Sequence, residues 1–128
     1  MPMNDIIIDK NLTFLAYQRI ANSLNITLDS IKKMKVSPLM FFALALTEEA
    51  GEFAGKVKKI IRNKEINPDK LPELEKIALL HELGDVLWYI SQLARILDSD
   101  INEVARLNLQ KLLDRKTRRV IKSSGDNR

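Results

Sequence analysis

Between Ile77 and Ala94 the chain is apolar on almost every side of a helical wheel, yet it carries two acids, Glu82 and Asp85. The run is too long for an ordinary strand and its residues do not alternate, so it reads as a helix. Three residues apart, Glu82 and Asp85 share one face of that helix. A helix apolar on most sides is expected to be covered on most sides, and carboxylates in such a place are costly unless they are paired or bound to a cation. The run contains no lysine or arginine and a single histidine, His81, so the compensating charge has to come from outside it.

The same conflict occurs upstream. Phe42, Leu46, Glu49, Phe53, Val57 and Ile60 recur at helical spacing, which sets Glu49 inside an apolar seam. Glu52 lies three residues further on and Glu48 four residues before Glu52, so the three carboxylates occupy neighbouring parts of one helix surface. Met40 to Ala54 contains no basic residue. Two helices packed face to face would bring Glu49, Glu52, Glu82 and Asp85 together as an all-oxygen cage, the ligand set preferred by hard ions such as Mg²⁺ or Mn²⁺. Gly84, between the two later acids, would let another helix or a substrate come close. Glutamates at helical spacing are by themselves usually a solvated face; two clusters in apolar surroundings on successive helices favour a site.

The rest of the chain is helical in pattern. A first helix is expected over about Asn11 to Leu24, with Leu12, Leu15, Ala16 and Ile20 on its apolar side, followed by a connector from Asn25 to Val36 with room for a helical turn. Ser37 and Pro38 suit the start of a long second helix reaching about Arg62. Asn67-Pro68-Asp69 is a turn signal, and Pro72 opens a third helix to about Leu97. Asp100 and Glu103 have capping-box spacing for a fourth, from Ile101 to about Arg119, after which Lys122 to Arg128 read as frayed. Strand signals are confined to a hint at Ile6-Ile7-Ile8. The expectation is an all-α, four-helix-bundle-like fold, in which metal sites are built from facing helices.

A chain of 128 residues fits one domain over its whole length. With 45% hydrophobic and 30% charged residues it has the balance of a soluble globular protein. The absence of cysteine excludes disulfides, thiolate metal sites and cysteine nucleophiles, and fits a reducing compartment. No leader-like or bilayer-length apolar segment is read, so the cytoplasm is the expected location, with no membrane partner. The net charge of +4 is uneven, because Lys111, Arg115, Lys116, Arg118, Arg119 and Lys122 crowd one end, a cluster suited to phosphate-rich ligands.

Glu48-Glu49-Ala50-Gly51-Glu52 followed by Glu82-Leu83-Gly84-Asp85 resembles the EExxE…ExxD motif of the MazG-like, all-α nucleotide pyrophosphohydrolase superfamily. Leu83 to Tyr89 looks like that family's third helix, and Asn108, Lys111 and Arg115 resemble its trailing N-x-x-K segment with a basic residue after it. The resemblance covers roughly Phe41 to Arg115. It implies Mg²⁺-dependent cleavage of nucleoside triphosphates to monophosphate and pyrophosphate, with Mn²⁺ as a substitute. It also implies metal ligation by Glu49, Glu52, Glu82 and Asp85, water activation by Glu48, and substrate contacts from Asn108, Lys111 and Arg115. The stretch from Phe53 to His81 is longer than in compact members, which leaves substrate choice and assembly open.

Other readings compete at single residues. His81-Glu82 is no zinc-protease helix, since Asp85 stands where H-E-x-x-H needs histidine, and one histidine cannot build a ferritin-like di-iron centre. His81 reads as structural or as a support behind the ligands. Trp88 and Tyr89 offer rings for a base, although Trp88 fits a core or subunit interface better. Met40, Phe41, Phe42 and Phe53 read as core. Adjacent Phe41 and Phe42 point to different faces, so the second helix needs cover on more than one side, which implies a homodimer or homotetramer. Alternative functions are phosphoribosyl-ATP hydrolysis on a similar helical fold, or a basic helical protein that binds nucleic acid through Lys111 to Lys122. The latter leaves the acids unexplained.

Overall fold

The structure, a computed structural model, describes residues 8–24, 27–64, 67 and 70–118, which hold five α-helices and no strand. Ile6 and Ile7 of the strand hint, Pro68 and Asp69 of the Asn67-Pro68-Asp69 turn and the tail from residue 119 lie outside these residues. No helix among them is long and apolar enough to cross a membrane.

Helix α1 spans Phe14–Ser23 and begins later than its apolar pattern implies, because Thr13 is extended and caps it, accepting the Ala16 amide at 3.2 Å. Its inward side also differs from the expected one. Leu12 and Leu15 are exposed, whereas Gln18 and Ala21 are buried. A buried glutamine is tolerable only if its amide is satisfied, and this one is: Nε2 donates to Ser91 O and Asn22 Oδ1, each at 2.9 Å, and Oε1 accepts the Ile101 amide at 2.9 Å.

The connector contains a short helix, α2, over Thr27–Lys33, so the described residues hold five helices where four were expected. Asp29 in its first turn and Lys32 and Lys33 in its last complement the helix dipole, and fully buried Ile31 anchors it. One anchoring residue is too little for a periodic signal.

Helix α3, Pro38–Lys64, and α4, Glu73–Ile96, match the two long predicted helices. Ser37 Oγ accepts the Met40 amide at 3.4 Å, and Pro72 is the N-cap of α4. Helix α4 stops in a left-handed turn: Asp98 has φ of 55°, its amide bonds to Arg95 O at 3.0 Å, and the Ser99 amide reaches back to Ala94 O at 2.9 Å. Helix α5, Ile101–Thr117, follows at once, capped by Asp100 Oδ1 on the Glu103 amide at 2.8 Å. Glu103 turns its own carboxylate to Arg106, at 2.6 and 2.7 Å, so this is half of the expected capping box.

Most interhelix packing is between α3 and α4. Phe42 lies beside Trp88 and Tyr89, Glu49 beside Asp85, and Lys56 beside Glu82, an order that makes the two helices antiparallel. Phe42 is the centre of the core, fully buried against Phe41, Trp88 and Tyr89 at centroid distances of 5.7–6.1 Å. Met40, read as core, is instead 67% exposed. Helix α4 is not covered on most sides within one chain either: α3 takes one flank and α1 and α5 part of another, leaving Ile77, Leu80 and Leu83 exposed. Gly84 likewise faces open space, with nothing approaching the position a Cβ would take.

Candidate metal and phosphate site

Because α3 and α4 run antiparallel in contact, the acids of each meet halfway along the pair. One carboxylate oxygen from each of Glu49, Glu82 and Asp85 lies within 4.8 Å of the others. Glu49 is half-buried in its seam, Glu82 is buried and Asp85 is exposed. The seam reading of Glu49 is thus met, while the expected burial of Asp85 is not, for want of a third layer over α4.

Glu82 is the telling residue. Its Oε1 accepts from the Lys56 ammonium, but Oε2 is buried with no hydrogen-bond partner. A buried carboxylate oxygen left unpaired carries a desolvation cost that nothing among the described residues repays. The carboxylate that carries this orphaned oxygen is one of a set of three, the donor chemistry of a hard divalent cation, so the residues present fit such an ion.

The electrostatics agree. Burial pushes the Glu49 carboxyl above its ordinary range, with Asp85, Glu52, Glu82 and Glu48 adding repulsion in that order. Glu52 and Glu48 therefore act on the cluster through their field, although both are exposed and neither joins the three-carboxylate group. Two phenols flank it. Tyr17 on α1 is raised by burial and then by Asp85, and Tyr89 on α4 by burial and then by Glu49, Glu48 and Asp85.

The remaining predicted residues lie elsewhere in the single chain. Trp88 is half-buried and packs edge-on to Tyr89 at 5.0 Å, so Tyr89 is the ring placed in the field of the acids. Asn108 and Lys111 line a shallow groove on α5 with Val104 and Leu107, with no acid of the cluster among its walls. Arg115 follows, half-buried, one turn further along. His81 is exposed.

Sequence reasoning missed Lys56, Gln18 and Tyr17. Lys56 stands just past the stretch that holds no basic residue, but its spacing of four from Glu52 places it on the face of the acids, a signal that was available. Gln18 and Tyr17 gave no such signal, since their roles depend on how α1 crosses α4.

The chain is similar to known proteins. The model of the MazG nucleotide pyrophosphohydrolase domain matches residues 41–120, a span that includes the three clustered acids, Glu48, Glu52 and Lys56. The chain is also similar to the Gene 37 protein of Mycobacterium phage L5, at 45% identity over 95 residues, which is 73% of this chain and 79% of that protein. No solved structure matches it significantly. On its helical architecture, its acids and this match over more than half its length, the chain belongs to the MazG nucleotide pyrophosphohydrolase family.

Proposed function

We propose that the protein hydrolyses nucleoside or deoxynucleoside triphosphates to the monophosphate and pyrophosphate, with Mg²⁺ as its ion and Mn²⁺ as a substitute, in the clearing of nucleotide pools. The observation that carries this reading is the buried, partnerless Glu82 Oε2 within a set of three carboxylates. Glu49, Glu82 and Asp85 would hold the ion, with Glu52 as a further ligand one turn from Glu49. When bound, the ion would offset phosphate charge and lower the pKa of a water. Glu48, exposed and adjacent to Glu49, takes the proton as the water oxygen bonds to the α-phosphorus and the bridging oxygen departs with pyrophosphate. Asn108, Lys111 and Arg115 contribute contacts to phosphate or sugar, and Trp88 and Tyr89 offer apolar surface near the base.

The protein works as a homodimer or homotetramer. Leu44 on α3, Leu80 on α4 and Leu113 on α5 are each more than half exposed, an apolar surface on three successive helices that a second copy would cover. The discriminating experiment is a panel of ribo- and deoxynucleoside triphosphates, with phosphoribosyl-ATP alongside, assayed for monophosphate and pyrophosphate with each ion. Release of both products from triphosphates, lost in EDTA and in Asp85→Asn, is expected; no release from any substrate with either ion would remove the reading.

A further inference from the structure

The acid cluster already holds one cation, and it belongs to the chain. Lys56 lies on α3, four residues after Glu52, and its ammonium grips Oε1 of Glu82 while Oε2 of the same carboxylate stays buried and unpaired. The two partners are unequally placed: the Lys56 side chain is 43% exposed and that of Glu82 only 8%. The lysine therefore reaches in from solvent on a flexible stem, whereas the carboxylate is fixed. The hydrogen bond to Glu82 and the fields of Glu82, Glu52 and Asp85 all favour the charged ammonium in this position.

Resting on the reading of the site proposed above, we propose that Lys56 is the resident counter-ion of the cluster, which pairs with Glu82 until a divalent ion binds and then turns to the phosphates of the substrate. The exchange follows from charge. With a divalent ion held at the cluster, Glu82 would face positive charge from two partners, and Lys56, the mobile one, would be released. A triphosphate arriving with the ion gives the freed ammonium a more highly charged partner within reach of its stem. Lys58 lines a groove with Phe53 and Ile61 on another side of α3, and of the neighbouring lysines it is Lys56 whose ammonium meets Glu82.

Lys56→Met in the full chain tests this by calorimetry. Mn²⁺ is expected to bind the variant at least about threefold more tightly than the wild type, a modest factor because the displaced ion pair is partly solvated. At saturating Mn²⁺, inorganic pyrophosphate is expected to bind about tenfold more weakly, for loss of one charge-assisted hydrogen bond. Lys56→Arg keeps the charge and should follow the wild type in both titrations. Equal or weaker Mn²⁺ binding in Lys56→Met would make the lysine a fixed support of Glu82 and overturn the proposal, as would unchanged pyrophosphate affinity. Should the methionine variant fail to fold, Lys56→Gln retains a polar contact to Oε1 and gives the same comparison. If the wild type binds no Mn²⁺ at all, the reading of the site fails and this proposal with it, an outcome separate from a wrong direction in the variant.

Discussion

Replacing Glu49 by glutamine should make the metal-free protein more stable while removing its function. The amide has the shape of the carboxylate and lacks its charge, so the change isolates repulsion within the cluster. At the 4.8 Å limit of the cluster, two unit charges repel by about 0.9 kcal/mol at the dielectric constant of water and about 3.5 kcal/mol at an effective value near 20. Glu49 meets Glu82 and Asp85 at this range and feels Glu48 and Glu52 along its own helix. It is only half-buried, and Lys56 neutralises part of the charge on Glu82, so screening keeps the sum near the low end, about 1–2 kcal/mol. For 128 residues that raises Tm by roughly 4–7 °C.

The gain has a pH signature. The folded protein holds the Glu49 proton more tightly than the unfolded chain does, so this residue favours folding below the ordinary carboxylate value of 4.5, and that contribution is lost as pH rises through the raised value. Wild type and variant should therefore unfold alike on the acid side and separate toward neutral pH. Thermal unfolding followed by circular dichroism in EDTA, at one protein concentration, measures both limits; added Mn²⁺ should then stabilise the wild type alone. A variant less stable than wild type at neutral pH, or a gap that persists unchanged in acid, would refute the reasoning.

Two further outcomes concern the frame that holds the site. Gln18→Ala leaves the buried Ile101 amide without an acceptor and removes two donated bonds, a loss of about 2–4 kcal/mol and roughly 7–15 °C in Tm; a loss under about 1 kcal/mol would mean that water takes over from the amide. Asp100→Ala removes the cap on the Glu103 amide and should lower stability by about 1 kcal/mol, read as a shift in the urea midpoint at constant slope.

Charge out of place was the most informative thing in the sequence. Glu49, Glu82 and Asp85 could be paired across two helices because each interrupts an apolar pattern, and the structure puts the three carboxylates together. The long helices α3 and α4 were legible for the same reason, their periodicity being continuous between a capping serine or proline and a turn. Where a residue's environment depends on a third element, the sequence was silent or misleading. Leu15 looks like core and Gln18 like surface on any helical wheel, yet they exchange places because α1 presents to Ser91 and Ile101 a side chain able to satisfy both backbones. Met40 and Leu80 look like core and are exposed, since hydrophobicity states that a residue wants cover without saying which chain provides it.

The division between acids and frame has a mechanical consequence. The matched family region begins at residue 41, so α1 lies outside it, yet Gln18 fastens α1 to α4 at Ser91, less than two turns beyond Asp85. Asn22 extends the same seam, accepting from Gln92 at 3.3 Å as well as from Gln18. This anchoring fixes where the next residue, Tyr17, stands, and its phenol lies in the field of Asp85. Repulsion among three carboxylates acts to spread α3 from α4, and it is opposed by the packing of Phe42 on Trp88 and Tyr89 on one side and by the Lys56–Glu82 ion pair on the other. The hydrogen-bonded strap joins α1 to α4 and the start of α5, and its directional bonds hold the register of these three helices where apolar contacts would allow sliding. A buried glutamine is therefore a better clamp here than a leucine of similar volume, because it satisfies the Ser91 carbonyl and the Ile101 amide that a leucine would leave bare.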